Sequence, residues 1–149
     1  MILRVVKLGI ISVIVLFIIL FLISLMIPST VRISRAINIE SQKKNIYPLL
    51  ADTSNWKMWN DLKNDRLSIQ LLSADSNLIH SAWTYGNRTL DGYYRIERIR
   101  DVTVVQWYFD VKLKWYPWEK FGSITFENQF GPSMESSLLK LKEMVTKSP

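Results

Sequence analysis

Residues 102–115 read VTVVQWYFDVKLKW, and the alternation in that stretch decides the fold. Thr103, Val105, Trp107, Phe109, Val111, Leu113 and Trp115 form one largely apolar set, whereas Gln106, Tyr108, Asp110, Lys112 and Lys114 dominate the other. A period of two over this length is a β-strand with one greasy face and one wet face. Such a strand belongs in an antiparallel sheet whose apolar side has to be covered. The end of the chain supplies the cover, because Phe126, Phe130, Met134, Leu138, Leu141 and Val145 recur at helical spacing. The expected class is therefore α+β, a sheet packed on a long C-terminal helix.

Upstream of residue 102, the runs 67–72, 78–85 and 89–99 read as strands joined by short polar links, which gives an antiparallel meander. In the second run Ile79, Ser81, Trp83 and Tyr85 share a face and His80 lies on the other, so His80 is expected at the surface. The alternation falters at Gly92, Tyr93 and Tyr94 and predicts a bulge there, which leaves the faces of Arg95 and Glu97 open. Val31, Ile33, Ile37 and Ile39 alternate in a further strand whose apolar face is interrupted by Arg35. Arg35 has three readings: it sits at a bulge, forms an internal ion pair, or points into a cavity toward an anionic group. Between these strands, residues 41–61 suit a short helix capped by Ser41, with Pro48 near its first turn. A turn at residues 52–55 then leads to Trp56 and Trp59 on one side of a helical turn, set to anchor it at a sheet edge. Downstream, Pro117 stops the long strand, residues 118–130 read as a loop and short helix, and Gly131-Pro132 restarts the chain as a helix over 132–147.

Residues 8–27, LGIISVIVLFIILFLISLMI, carry no charge and have the length that crosses a hydrocarbon core. The run ends without a small-x-small cleavage pattern, which favours an uncleaved anchor over a signal peptide. Residues 1–29 are thus expected to be a transmembrane anchor and residues 30–149 a folded domain of about 120 residues, enough for one modest core. Arg4 and Lys7 precede the span, so the expected topology is single-pass in the cell membrane with the domain extracytoplasmic. The chain has no Cys and one His, which excludes disulfides, thiolate nucleophiles and Cys- or His-rich metal sites. No metal or other cofactor is expected. The net charge of +6 comes from dispersed Lys and Arg, a pattern that fits anionic lipid headgroups better than nucleic acid.

Several pieces resemble one family. INIES at residues 37–41, then Leu50, Ala51, Asp52 and Trp56-Lys57-Met58-Trp59, are similar to the opening of SRPBCC proteins, the START-related polyketide cyclase and lipid transport superfamily. The tail with Pro117-Trp118-Glu119-Lys120, Gly131-Pro132, Met134-Glu135 and residues 138–142 resembles members that carry an N-terminal membrane segment. The resemblance covers most of the chain after Pro28 and implies a helix-grip fold, in which a curved antiparallel sheet grips the C-terminal helix around a hydrophobic cavity. About five strands are expected here against about seven in typical members, so the cavity is expected to be reduced, open at one side, or filled by Trp83, Trp107, Phe109 and Trp115.

The functional expectation is a membrane-anchored module binding a hydrophobic or amphiphilic, lipid-like small molecule between sheet and helix. Its walls would be Trp83, Trp107, Phe109, Val111, Phe130, Met134 and Leu138, with Arg35 as polar contact and Tyr93 as a further ligand contact. The same side chains could instead close-pack into a dry core. A cyclase or hydrolase would need an acid or base in the pocket, for which only Glu97 and Tyr93 offer themselves. A membrane-tethered protein-interaction domain would use exposed Trp and Tyr as anchors.

Overall fold

The computed structural model describes residues 2–62, 67–86 and 88–147. Its elements in chain order are α1 (Ile2–Met26), β1 (Thr30–Ile39), α2 (Lys43–Ala51), α3 (Trp56–Trp59), β2 (Leu67–Ala74), β3 (Leu78–Tyr85), β4 (Arg88–Ile99), β5 (Val102–Lys112), α4 (Pro117–Ser123) and α5 (Phe126–Lys147). The five strands form one curved antiparallel sheet in the order β1-β5-β4-β3-β2. Residue contacts divide the chain into two units, Met1–Val31 with Lys112–Ile124, and Arg32–Val111 with Thr125–Pro149. The segment between β5 and α5 thus groups with the apolar helix rather than with the sheet.

In the sheet unit, β5 is buried at every second residue from Thr103 to Val111, as its alternation requires. It ends at Lys112, three residues short of the predicted strand, and Trp115 is 70 % exposed instead of inward-facing. Gly92 does not sit at a bulge. Its register runs unbroken from Asp91 opposite Asp110 to Ile99 opposite Val102, and the irregularity lies in β2, between Leu71 and Ser73. Gly92 is instead a close approach: a Cβ there would stand 2.7 Å from the Trp83 ring and 2.9 Å from the Phe109 ring. The two rings occupy the space that a side chain would take. Arg100 takes a left-handed conformation, φ 54°, in the two-residue link between β4 and β5.

Both helices of the sheet unit with an internal proline run differently from the sequence reading. The residue before α2 is Gln42, and Ser41 makes no capping bond. Pro48 lies well inside α2 rather than in its first turn. Helix α5 starts at Phe126 and continues through Pro132 without the expected restart. In each case the proline and the residue whose carbonyl loses a partner, Lys44 or Asn128, are exposed, which lowers the cost of the missing bond.

In the other unit, α1 extends over about 37 Å at 1.5 Å per residue and is long and apolar enough to cross a membrane. Pro117 opens α4 and is buried, as are Lys120 and Ser123 three and six residues on. The Lys120 ammonium donates to the carbonyl of Ile27 at 2.7 Å, just past the C-terminal end of α1. A cation at that end complements the helix dipole.

Candidate functional site

The space between sheet and α5 has two different ends. At one end six aromatic side chains close-pack. Trp56 and Trp59 enter from α3, Trp83 from β3, Tyr94 from β4, and Trp107 and Phe109 from β5, each at most 2 % exposed. Their ring centroids lie 5.1 to 6.3 Å apart in stacked and edge-on pairs, for example Trp56 on Trp83 at 5.4 Å and Tyr94 on Trp107 at 5.1 Å. Met134, Leu138, Leu141 and Val145 of α5 are buried in the same unit. The polar atoms are tied locally: the Trp56 indole donates to the Leu50 carbonyl at 3.0 Å, and the Trp83 indole donates to Ser81 Oγ at 2.8 Å. Asn60 donates to the Tyr94 hydroxyl at 3.3 Å, and burial holds that hydroxyl's pKa well above its ordinary value. The indole N–H groups of Trp59 and Trp107 have no acceptor among the described residues.

At the other end a cavity of about 400 Å³ remains. Trp83, Leu90, Phe109 and Val111 form its sheet wall, and Phe126, Gln129 and Phe130 of α5 its helix wall. Leu62, Leu67, Tyr85 and Arg88 complete the lining. The lining residues are mostly apolar, and Tyr85, Arg88 and Gln129 are those that carry polar groups. A volume of this order and this lining are those of a small-molecule site, where burial supplies affinity and a few polar atoms set orientation.

Trp83, Phe109, Val111 and Phe130, four of the residues expected to line a cavity, are brought together there. Trp107, Met134 and Leu138 are buried in the packed region instead. Arg35 keeps its place on the inner-facing register of β1, but its guanidinium bonds to Glu127 and to the Ser34 carbonyl at 2.9 Å; the ion pair that forms is open to solvent rather than internal, with Glu127 half exposed. It lies across Gly131, where any Cβ would collide with it, and borders a separate groove beside Leu138 and Leu139. Tyr93 is corrected outright, because with no bulge at Gly92 its side chain stands on the outer face. There it stacks between His80, at 4.3 Å, and Tyr108, at 4.9 Å, with Arg32 over the Tyr108 ring and paired to Asp110 at 2.7 Å. Burial first, then the nearby Asp91 and Asp110, push the Tyr93 phenol up. Glu97 is exposed and pairs with Arg95 at 3.0 Å.

Sequence reasoning missed Leu62, Leu67, Tyr85, Arg88, Leu90, Phe126 and Gln129 as lining residues. Tyr85 and Phe126 carried a signal, since one shares the face of Trp83 and the other precedes Phe130 by one helical turn. Arg88 was read as part of a link. No cluster of metal-ligating side chains occurs among the described residues.

Comparison with known proteins bears on the fold. CalU16 from Micromonospora echinospora aligns over 80 % of this chain and 84 % of its own, with 12 % identity and a TM-score of 0.59. A START superfamily protein from Mycobacterium smegmatis aligns over 79 % and 99 %, at 13 % identity and TM-score 0.57. The di-domain ARO/CYC StfQ from the steffimycin biosynthetic pathway aligns over 79 % and 51 %, at 8 % identity and TM-score 0.62. The fold is the helix grip. The helix-grip sheet and its C-terminal helix are thus shared with START and cyclase structures at identities that speak for architecture alone. Neither the family models nor the curated proteins compared with this sequence match it.

Proposed function

We propose that this chain is a membrane-anchored helix-grip module that binds one hydrophobic or amphiphilic, lipid-like small molecule. The observation that carries this reading is the apolar cavity of about 400 Å³, kept beside a close-packed cluster of six aromatic side chains. The ligand's apolar body lies against Trp83, Leu90, Phe109, Val111, Phe126 and Phe130, and its polar end meets Arg88 and Gln129. Arg35 has no part in this, being engaged with Glu127. An acid-base enzyme is not favoured by any observation at the site, since His80, Asp91, Glu97 and Asp110 all lie on the opposite face and none of the described residues lining the cavity is a carboxylate. The module is held by α1 in the cell membrane, with Arg4 and Lys7 cytoplasmic and the sheet unit outside.

Small molecules retained after gentle extraction should be identified by mass spectrometry, and the most abundant added back in a thermal shift. Ligand at a hundredfold its Kd raises stability by about 2.7 kcal/mol. Leu90→Trp fills the cavity from the sheet side and is expected to abolish that shift with the fold retained. Recovery of nothing, with no shift across fatty acids, phospholipids and isoprenoids, would sink the reading. Because the chain has no Cys, a single cysteine at exposed Ser73 reports topology through labelling by an impermeant maleimide on intact cells.

A further inference from the structure

Residues 112–124 form a part of the molecule for which binding of a ligand in the cavity gives no reason. Trp115 is 70 % exposed, Trp118 66 % and Ile124 67 %, and Tyr116 lies between the two indoles, stacked on Trp118 at 4.6 Å. So much apolar surface gathered in thirteen residues is costly to leave in water. The other four indoles of the chain are at most 2 % exposed, so the chain does bury its tryptophans where it has a core to hold them.

What adjoins this surface is the apolar helix. Trp115 meets Phe21 of α1 edge-on at 6.4 Å, while Pro117, Lys120 and Ser123 form the buried face of α4 and Lys120 bonds to Ile27. Leu113 N–H donates to the Ser29 carbonyl at 2.8 Å, which fastens the start of the segment just beyond α1. Phe21 precedes the last residue of α1, Met26, by about 8 Å of helix. Interfacial elements sink their apolar faces by about 5–10 Å into the boundary between headgroups and acyl chains. With the C-terminal end of α1 at that boundary, Trp115 lies at a matching depth. Indole and phenol rings favour this boundary because one end is apolar and the other wet. With Lys120 turned to Ile27, the segment still carries Lys112 and Lys114 against the single acid Glu119, the sign that anionic headgroups attract.

We propose that residues 112–124 are a membrane foot, a second contact with the lipid surface in which Trp115 and Trp118 sit in the headgroup layer of the leaflet at the C-terminal end of α1. The foot sets the depth and rotation of α1, which a single lipid-facing helix does not settle by itself. This rests on the reading that α1 spans the membrane.

The test uses the full chain reconstituted in vesicles of phosphatidylcholine and phosphatidylglycerol, with acyl chains brominated either near the ester or near the methyl end. Bromine quenches indoles that it touches. Shallow bromine is expected to quench the wild type more than deep bromine, and Trp115→Phe with Trp118→Phe to lower the quenched fraction at least about twofold. The shallow-over-deep preference is read on the wild type, so it stands even if the double variant folds poorly. Protein that stays in carbonate-washed vesicles yet shows no quenching, a preference for deep bromine, or quenching unchanged in a folded double variant overturns the foot and leaves the anchor intact. That outcome is also the one expected if a second copy or another protein covers the indoles. Release of the wild type by carbonate overturns anchor and foot together.

Discussion

The two ends of the space beneath α5 are lined by the same strands and the same helix, yet one is solid and the other hollow. The solid end receives two further indoles, Trp56 and Trp59, from a helix of only four residues. The hollow end receives Leu62 and Leu67 instead, and its sheet wall tapers to Leu90 and Val111. In a close-packed interior a difference of two indoles is the difference between a core and a cavity. A helix grip of five strands thus keeps room for a ligand only where no extra aromatic side chain reaches in.

The sharpest way to break this contrast is to truncate one ring at each end. Trp107→Ala should cost about 3–5 kcal/mol, because its neighbours are rings that cannot collapse into the void. Phe130→Ala, at a half-buried cavity wall, should cost about 1 kcal/mol and enlarge the site. Equal losses in chemical denaturation would mean that the cavity is closed in solution.

Two glycines give a finer comparison. Gly92→Ala drives a methyl into the Trp83 and Phe109 rings and should destabilise by about 1–3 kcal/mol. Gly131→Ala meets only the end of the flexible Arg35 side chain, so its effect should stay below about 1 kcal/mol, with the helix propensity of Ala offsetting a displaced Arg35. A larger loss at Gly131 than at Gly92 would put the rigid part of the molecule at the wrong end.

Smaller effects come from the edges. Hydrogen bonds from Lys140 and then Ser136 hold the Asp61 carboxyl below the usual carboxylate range. A depressed carboxylate contributes stability in full above its unfolded pKa, near about 3.9, and loses it as pH falls through the folded value. Asp61→Asn should therefore cost about 0–1 kcal/mol near neutral pH, given the exposure of the pair, with the deficit shrinking in acid. A deficit that grows as pH falls would contradict this pairing. Arg100→Gly should stabilise by about 1 kcal/mol or less by relieving a left-handed residue, which a rise in Tm would register.

Much of this was legible in the sequence. The alternation of β5 and β3 set which side chains face α5, and the spacing of Met134, Leu138, Leu141 and Val145 set which face of α5 covers them. Misreadings clustered where a residue has more than one use. Gly92 reads as a bulge in one dimension because it breaks an apolar face, but it is the space into which rings from β3 and β5 settle. Tyr93 consequently moved to the wrong face. Gly131-Pro132 reads as a helix start, yet Gly131 makes way for Arg35 and Pro132 faces water. The cavity was located in part, through Trp83, Phe109, Val111 and Phe130; Arg88, read as the end of a link, opens β4 on the face of Leu90, while Leu62 lies outside the helices and strands, where no periodicity reports side-chain direction.

By itself the sequence determined the strands, the covering helix and the long apolar helix, because each follows from a period of two or of 3.6, or from an uninterrupted apolar run, properties local to a stretch of chain. Only the tertiary structure decided where the interior is full and where it is empty. That depends on how many rings converge from distant segments on one place, and volume is a sum that no single stretch of sequence carries.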